Sequence, residues 1–178
     1  MICHKTPIHD VYVIEQTVTK DNRGSFVKNF QRSLFEEHDL ECDFKESYYT
    51  KSHEGVIRGM HFQIPPHDHA KLITVISGTI IDVVLDIRKS SKTYGRHFEI
   101  ELSGENRKSL YIPSGFAHGF GVLSDVAIAC YQVTSEHKPD HDKGILFDSF
   151  GFSWPISNPA LSERDSAFPA FIDFESPF

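Results

Sequence analysis

Short runs of β-branched and aromatic residues recur along this chain, at 11–18, 26–30, 44–50, 56–62, 72–76, 80–87, 98–102, 110–112, 118–123 and 127–133. The breaks between them carry turn chemistry: Asp21-Asn22-Arg23-Gly24, Ser77-Gly78, Ser103-Gly104-Glu105-Asn106 and Pro113-Ser114-Gly115. Branched and aromatic side chains pack well on a pleated surface, while Gly, Pro, Asn, Asp and Ser supply the dihedrals and local hydrogen bonds of turns. Many short strands at such spacing fold as an all-β sandwich or barrel. Only residues 33–38 offer a good helix start, with Ser33 as N-cap and Glu36 at the third position of a capping box. From about Lys138 the chain turns rich in Pro, Ser and charge (Pro139, Pro155, Pro159, Pro169, Pro177) and is expected to form an irregular C-terminal segment wrapped around the β-structure.

At 178 residues the chain suits one domain spanning 1–178. Its net charge of -7 argues against nucleic acid as the main partner, because phosphate backbones are held by a surplus of Lys and Arg. No stretch approaches the ~18 apolar residues of a membrane span, and the first residues lack a basic, then apolar, leader. Cys3, Cys42 and Cys130 stand far apart, without CxxC spacing, and read as ordinary thiols of a reducing compartment. A cytoplasmic location is expected.

Histidine supplies 11 residues, several of them at strand ends beside cations: Arg58 and His61 in RGMHFQ, His67, His69 and Lys71 in PPHDHAK, and His118 in PSGFAHGF. A histidine and a lysine embedded in apolar strand sequence need a partner or a ligand, since burying a lone charge is costly. The spacing Pro113-x-Gly115-x-x-His118 is that of the second cupin motif, and His67-x-His69 resembles the paired histidines of the first. Three imidazoles would suit Zn, Fe or Ni, but Ile73 and Thr74 stand where an acidic ligand is expected, and Lys71 adds a repelling charge. No metal and no cofactor are expected. Without metal, the same groups suit proton abstraction beside a carbonyl: a histidine base, a cation for the enolate, and an acid across the substrate.

DNRGSF (21–26), GVIRGMHFQ (55–63), Lys71-Leu72, DVVLDIRKSSKTYG (82–95), IPSGFAHGFGVLSD (112–125) and LSERD (161–165) together resemble the dTDP-4-dehydrorhamnose 3,5-epimerase family, in its order, from about residue 10 to 169. The resemblance implies a cupin-type jelly roll, usually a homodimer that exchanges N-terminal strands, acting without metal on a nucleotide-diphosphate 4-keto-6-deoxysugar. It implies His61 as the base, Asp165 as its partner, Tyr131 as the acid on the opposite face, and Lys71 as the group stabilising the enolate at O4. His118 would contact the sugar or the developing oxyanion. Arg23 and Arg58 resemble the diphosphate ligands, planar forks that suit phosphate oxygens. Asp142 and Arg164 fall at further ligand positions. Plainer readings exist beside these: Asp165 capping a turn, Arg164 solvated, Tyr131 alternating into a strand core, Arg23 exposed in its turn.

Lys28 replaces the family's usual Glu, Glu46 and Tyr48 stand for Gln and Asn, His69 for a common Gln, and His137 for a Tyr. Thymine N3 donates and suits a carboxylate, whereas cytosine N3 accepts and suits an ammonium. Lys28 therefore points toward CDP, unless Glu46 pairs with it. The function expected is an epimerase inverting C3, C5 or both of a dTDP-linked sugar. The alternatives are a single-centre epimerase on a CDP-linked sugar, a cupin isomerase moving the keto group between C3 and C4, and a metal-dependent or non-catalytic sugar-nucleotide-binding cupin.

Overall fold

The computed structural model describes residues 1–178. In chain order its strands are β1 (Ile2–Lys5), β2 (Tyr12–Glu15), β3 (Thr17–Asp21), β4 (Gly24–Lys28), β5 (Glu46–His53), β6 (Ile57–Gln63), β7 (Lys71–Ser77), β8 (Thr79–Asp86), β9 (His97–Ser103), β10 (Lys108–Ile112), β11 (Phe116–Val122), β12 (Val126–Val133) and β13 (Asp142–Gly144). Two short helices, α1 (Arg32–Glu37) and α2 (Glu163–Ser166), and one 3-10 turn (Phe171–Asp173) complete it. The strands form a six-stranded sheet in the order β1-β2-β10-β7-β12-β5, a five-stranded sheet in the order β13-β6-β11-β8-β9, and a separate ribbon β3-β4.

The core lies between the two large sheets. Ile73, Val75, Leu110 and Ala129 of the first meet Ile80, Val84, Leu102, Phe120 and Val122 of the second, and burying each large apolar side chain contributes about 1.5–3 kcal/mol. β12 alternates strictly, with Ala127, Ala129, Tyr131 and Val133 buried, as a strand with one covered face should. β11 is buried at every residue. Its second face is covered too, because Ile145 and Phe150 pack with Phe62, Leu85, Ile87 and Ala117, and Phe174 and Phe178 close over them. This sandwiching explains why 80–87 reads as an apolar run broken only by two buried carboxylates, Asp82 and Asp86.

The run 11–18 does not form one strand. It breaks at the buried Gln16, whose side chain donates to Ser109 Oγ at 2.8 Å while the chain leaves the sheet for the ribbon. β1, which pairs with β2, lies outside the expected runs. Helix α1 begins two residues earlier than a Ser33 cap implies, and Ser33 is not its cap: the N-cap is Gln31, which makes no side-chain cap bond and donates instead to Ser33 Oγ at 3.0 Å. What holds α1 is Phe35, fully buried against Phe30, Phe44 and Tyr111. The C-terminal segment wraps the five-stranded sheet as expected, but it also contributes β13 to that sheet's edge and the unexpected helix α2.

Candidate active site

A cavity of about 190 Å³ opens between the two sheets, walled by residues from both. The five-stranded sheet gives it His61 on β6 and His118 on β11, which stand directly opposite each other in register. Opposite residues of an antiparallel pair share a face, so the two imidazoles enter the cavity together. The six-stranded sheet gives Lys71 on β7, Tyr131 on β12, and Tyr48 and Thr50 on β5. Tyr48 and Tyr131 are also register partners, and their rings stack 4.8 Å apart at 11°.

Behind His61 lies Asp165. Its backbone N–H is taken by Ser162 Oγ at 3.0 Å, which caps α2 and fixes the residue's place. Its carboxylate faces inward: Oδ1 is 2.8 Å from His61 Nε2, and Oδ2 accepts the Gly59 N–H at 3.1 Å. Burial disfavours the charge on Asp165, yet His61, the Gly59 amide and Ser162 outweigh burial and hold its pKa below the ordinary value. A charged carboxylate at this distance calls for a hydrogen on Nε2, which leaves Nδ1 as the basic nitrogen of the ring.

Lys71 is only 7% exposed, and its Nζ donates to the His61 carbonyl at 3.1 Å. Burial lowers its pKa to about 8, against the pull of Asp142 and Asp82. His118 is buried and donates to Asp82, with Nε2 3.0 and 2.9 Å from the two carboxylate oxygens. Burial lowers its pKa despite that partner, so the ring is neutral at pH 7. Tyr131 rises well above the ordinary phenol value, first through burial and then through Asp82, and so stays a protonated donor.

At the rim, Asp142 bridges Arg164 (2.8 Å) and His137 (3.2 Å), while the His137 amide donates to Glu46 at 2.8 Å. Glu46 is thus held by His137 and not by Lys28. Arg58 lines the cavity and is fixed only through Nε, which donates to Ser52 Oγ at 2.9 Å. Of the expected site residues, Tyr48, Arg58, His61, Lys71, His118, Tyr131, His137 and Asp142 line the cavity. Asp165 backs His61, and Arg164 and Glu46 adjoin the rim. Arg23 and Lys28 are not brought to it: they sit on the β3-β4 ribbon, where Arg23 is 85% exposed and paired with Asp21 at 2.6 Å.

Three further residues, Asp82, Gln63 and Thr50, were not among those expected, and His69, which stands where the family usually has Gln, joins the cavity. Asp82, fully buried beneath His118, carried a signal in the sequence: a carboxylate in the apolar run 80–87 needs a partner as much as His61 or Lys71 does. Gln63 is buried and binds the carbonyls of His67 and Glu136, organising the loop that carries His69. His69 itself reaches the cavity with a pKa lowered to about 3, by burial and then by the charge of Lys71. Thr50 gave no signal, since threonine is ordinary in strands. His67 packs edge-on against His141, ring centroids 4.5 Å apart, rather than beside His69 and His118, and no three His, Cys, Asp or Glu side chains gather as metal ligands.

Known proteins are similar to nearly the whole length of this chain. A profile of the dTDP-4-dehydrorhamnose 3,5-epimerase family covers residues 5–173. The chain is 41% identical over 172 residues to the dTDP-4-dehydrorhamnose 3,5-epimerase of Shigella flexneri, covering 95% of each. Among solved structures, the dTDP-6-deoxy-D-glucose-3,5-epimerase of Legionella pneumophila in complex with dTDP-4-keto-L-rhamnose superposes with a TM-score of 0.93 at 33% identity, over 98% of this chain and 94% of that one. A 3'-monoepimerase of Streptomyces bikiniensis bound to dTDP-quinovose gives 0.88 at 27% identity, over 94% and 86%. With the family profile spanning nearly the whole chain and relatives alike over nine-tenths of it, this chain belongs to the dTDP-4-dehydrorhamnose 3,5-epimerase family.

Proposed function

We propose that this chain is an isomerase that inverts C3 and C5 of dTDP-4-keto-6-deoxyglucose for deoxysugar biosynthesis. The observation that carries the reading is the placement of His61 and Tyr131 on facing sheets across one cavity, with Lys71 in the same wall as Tyr131 and its Nζ 3.1 Å from the His61 carbonyl. The keto group at C4 acidifies the protons on C3 and C5. His61 Nδ1 takes one, and the electron pair of the broken C–H bond moves into the C3–C4 or C4–C5 bond, placing negative charge on O4. Lys71, a cation at neutral pH, lowers the energy of that oxyanion in a water-poor site, and the neutral His118 lies beside it. Tyr131 then delivers its phenolic proton to the same carbon from the opposite face as the O4 charge returns to a carbonyl, which inverts the centre. The imidazolium releases its proton to solvent and the phenolate takes one up, resetting the pair for the second carbon. Asp165 keeps Nε2 protonated and stabilises the imidazolium formed in the first step.

The names of the relatives favour dTDP over CDP and two centres over one, and the monoepimerase of Streptomyces bikiniensis keeps the single-centre reading in view. The reading extends to a homodimer. A two-stranded ribbon is marginally stable alone in water, and β3-β4 carries Phe26 66% exposed and Arg23 beside it, so it calls for a partner surface. The three cysteines are free thiols, which fits a reducing cytoplasm.

The test is incubation in D2O with dTDP- and, separately, CDP-4-keto-6-deoxyglucose, followed by mass spectrometry and proton NMR of the sugar. Uptake of two deuterons from the dTDP sugar is expected. One deuteron would move the assignment to a single-centre epimerase, exchange with CDP alone would change the nucleotide, and no exchange with either would sink the reading.

A further inference from the structure

We infer that Thr50 binds the substrate at the junction between sugar and diphosphate. Its Oγ1 is the one buried side-chain nitrogen or oxygen in the chain with no hydrogen-bond partner in the protein, and the residue lies in the cavity wall. A desolvated hydroxyl without a partner costs folding free energy, so its retention inside a site points to a partner that arrives with the ligand. The neighbours of Thr50 define that partner.

Side chains two apart on a strand point the same way, about 6.5 Å apart, so Tyr48, Thr50 and Ser52 make one row on β5. At one end, Tyr48 stacks on Tyr131, the acid of the reaction. At the other, Ser52 fixes Arg58 through Nε, leaving the outer guanidinium nitrogens free for an anion. A ligand whose ring carbons reach Tyr131 and whose phosphate reaches Arg58 must pass Thr50 where sugar joins phosphate. The oxygens available there, a ring hydroxyl and the phosphoryl oxygens, suit a hydroxyl that donates and accepts. The assignment rests on the epimerase reading above.

The experiment compares wild type, Thr50→Val and Thr50→Ser for deuterium uptake from dTDP-4-keto-6-deoxyglucose, dTDP affinity by calorimetry, and thermal unfolding. Thr50→Val should raise KM about tenfold, the loss of one hydrogen bond, and do so more than it lowers kcat. Thr50→Ser, which keeps the hydroxyl, should stay within about twofold of wild type. Thr50→Val should unfold at the same temperature or higher, because it removes an orphaned hydroxyl without emptying space. Weakened binding of free dTDP would assign the contact to phosphate, and weakening confined to the sugar nucleotide would assign it to a ring hydroxyl; both support the inference. Wild-type KM in Thr50→Val, or a KM change accompanied by a fall in unfolding temperature that Thr50→Ser shares, would overturn it. If wild type itself takes up no deuterium, the epimerase reading fails instead.

Discussion

At the scale of single residues the site works by separating charge states that would be alike in water. Tyr131 is held protonated, His118 neutral and Asp165 anionic, each by its surroundings. Lys71 is the group poised to titrate near working pH. Its cation is present below about pH 8 and lost above it, so kcat/KM, which reports the free enzyme, should fall on an alkaline limb with its midpoint near 8. A pH profile of deuterium uptake checks this, and a rate that stays flat to pH 10 would remove Lys71 as the enolate's cation. His61→Ala should lose about 10²- to 10⁴-fold in exchange with dTDP binding nearly intact. Tyr131→Phe should still release the first proton to solvent yet fail to complete inversion; equal loss of both steps, read by NMR, would make Tyr131 structural. His61 and Lys71 were legible in the sequence because charge in apolar strands needs an explanation. Asp82 obeys the same rule but shares its segment with a second buried carboxylate, Asp86, so the run alone does not single it out as a site residue. Thr50 was illegible, since only the three-dimensional structure shows that its hydroxyl lacks a partner.

At the scale of elements, the four residues of α2 matter because they aim one carboxylate. Ser162-Glu163-Arg164-Asp165 has the pattern of a capping box, but only half of it forms: Ser162 accepts the Asp165 N–H, while the Asp165 side chain turns to His61 and Gly59. Losing a cap costs about 1 kcal/mol. Ser162→Ala should therefore destabilise the protein by about that amount in urea, and it should also lower kcat with little change in KM, because Asp165 is less firmly held. A kcat equal to wild type would show that His61 alone positions the carboxylate. Eight of the thirteen strands, β5 to β12, follow the branched and aromatic runs closely, and all of them but β5 cover at least one apolar face. β1, a mixed four-residue segment, has no such signature, and α1 is set by the burial of Phe35 rather than by the Ser33 cap that the sequence suggested.

At the scale of the molecule, the β3-β4 ribbon is the element that one chain leaves unfinished. Its residues are nearly all exposed, it joins neither large sheet, and it holds Arg23 and Lys28 away from the cavity of its own chain. The family resemblance marks both as substrate ligands, and these two facts agree if each ribbon serves the cavity of a second copy. That arrangement has a quantitative consequence. Arg23→Ala supplies a cavity with intact His61 but a defective ribbon, and His61→Ala supplies the reverse. In a mixed dimer, the cavity that keeps His61 receives the intact Arg23 from its partner, and the other cavity lacks both. Random pairing of equal amounts makes half the dimers mixed, each with one restored site, so about a quarter of all sites regain wild-type kinetics. Co-expressing the two variants and measuring kcat/KM for deuterium uptake tests this. Recovery to about a quarter, well above the average of the two separate variants, would establish a cavity shared between copies. Activity equal to that average would mean that each ribbon folds back on its own chain in solution, or that Arg23 takes no part in binding.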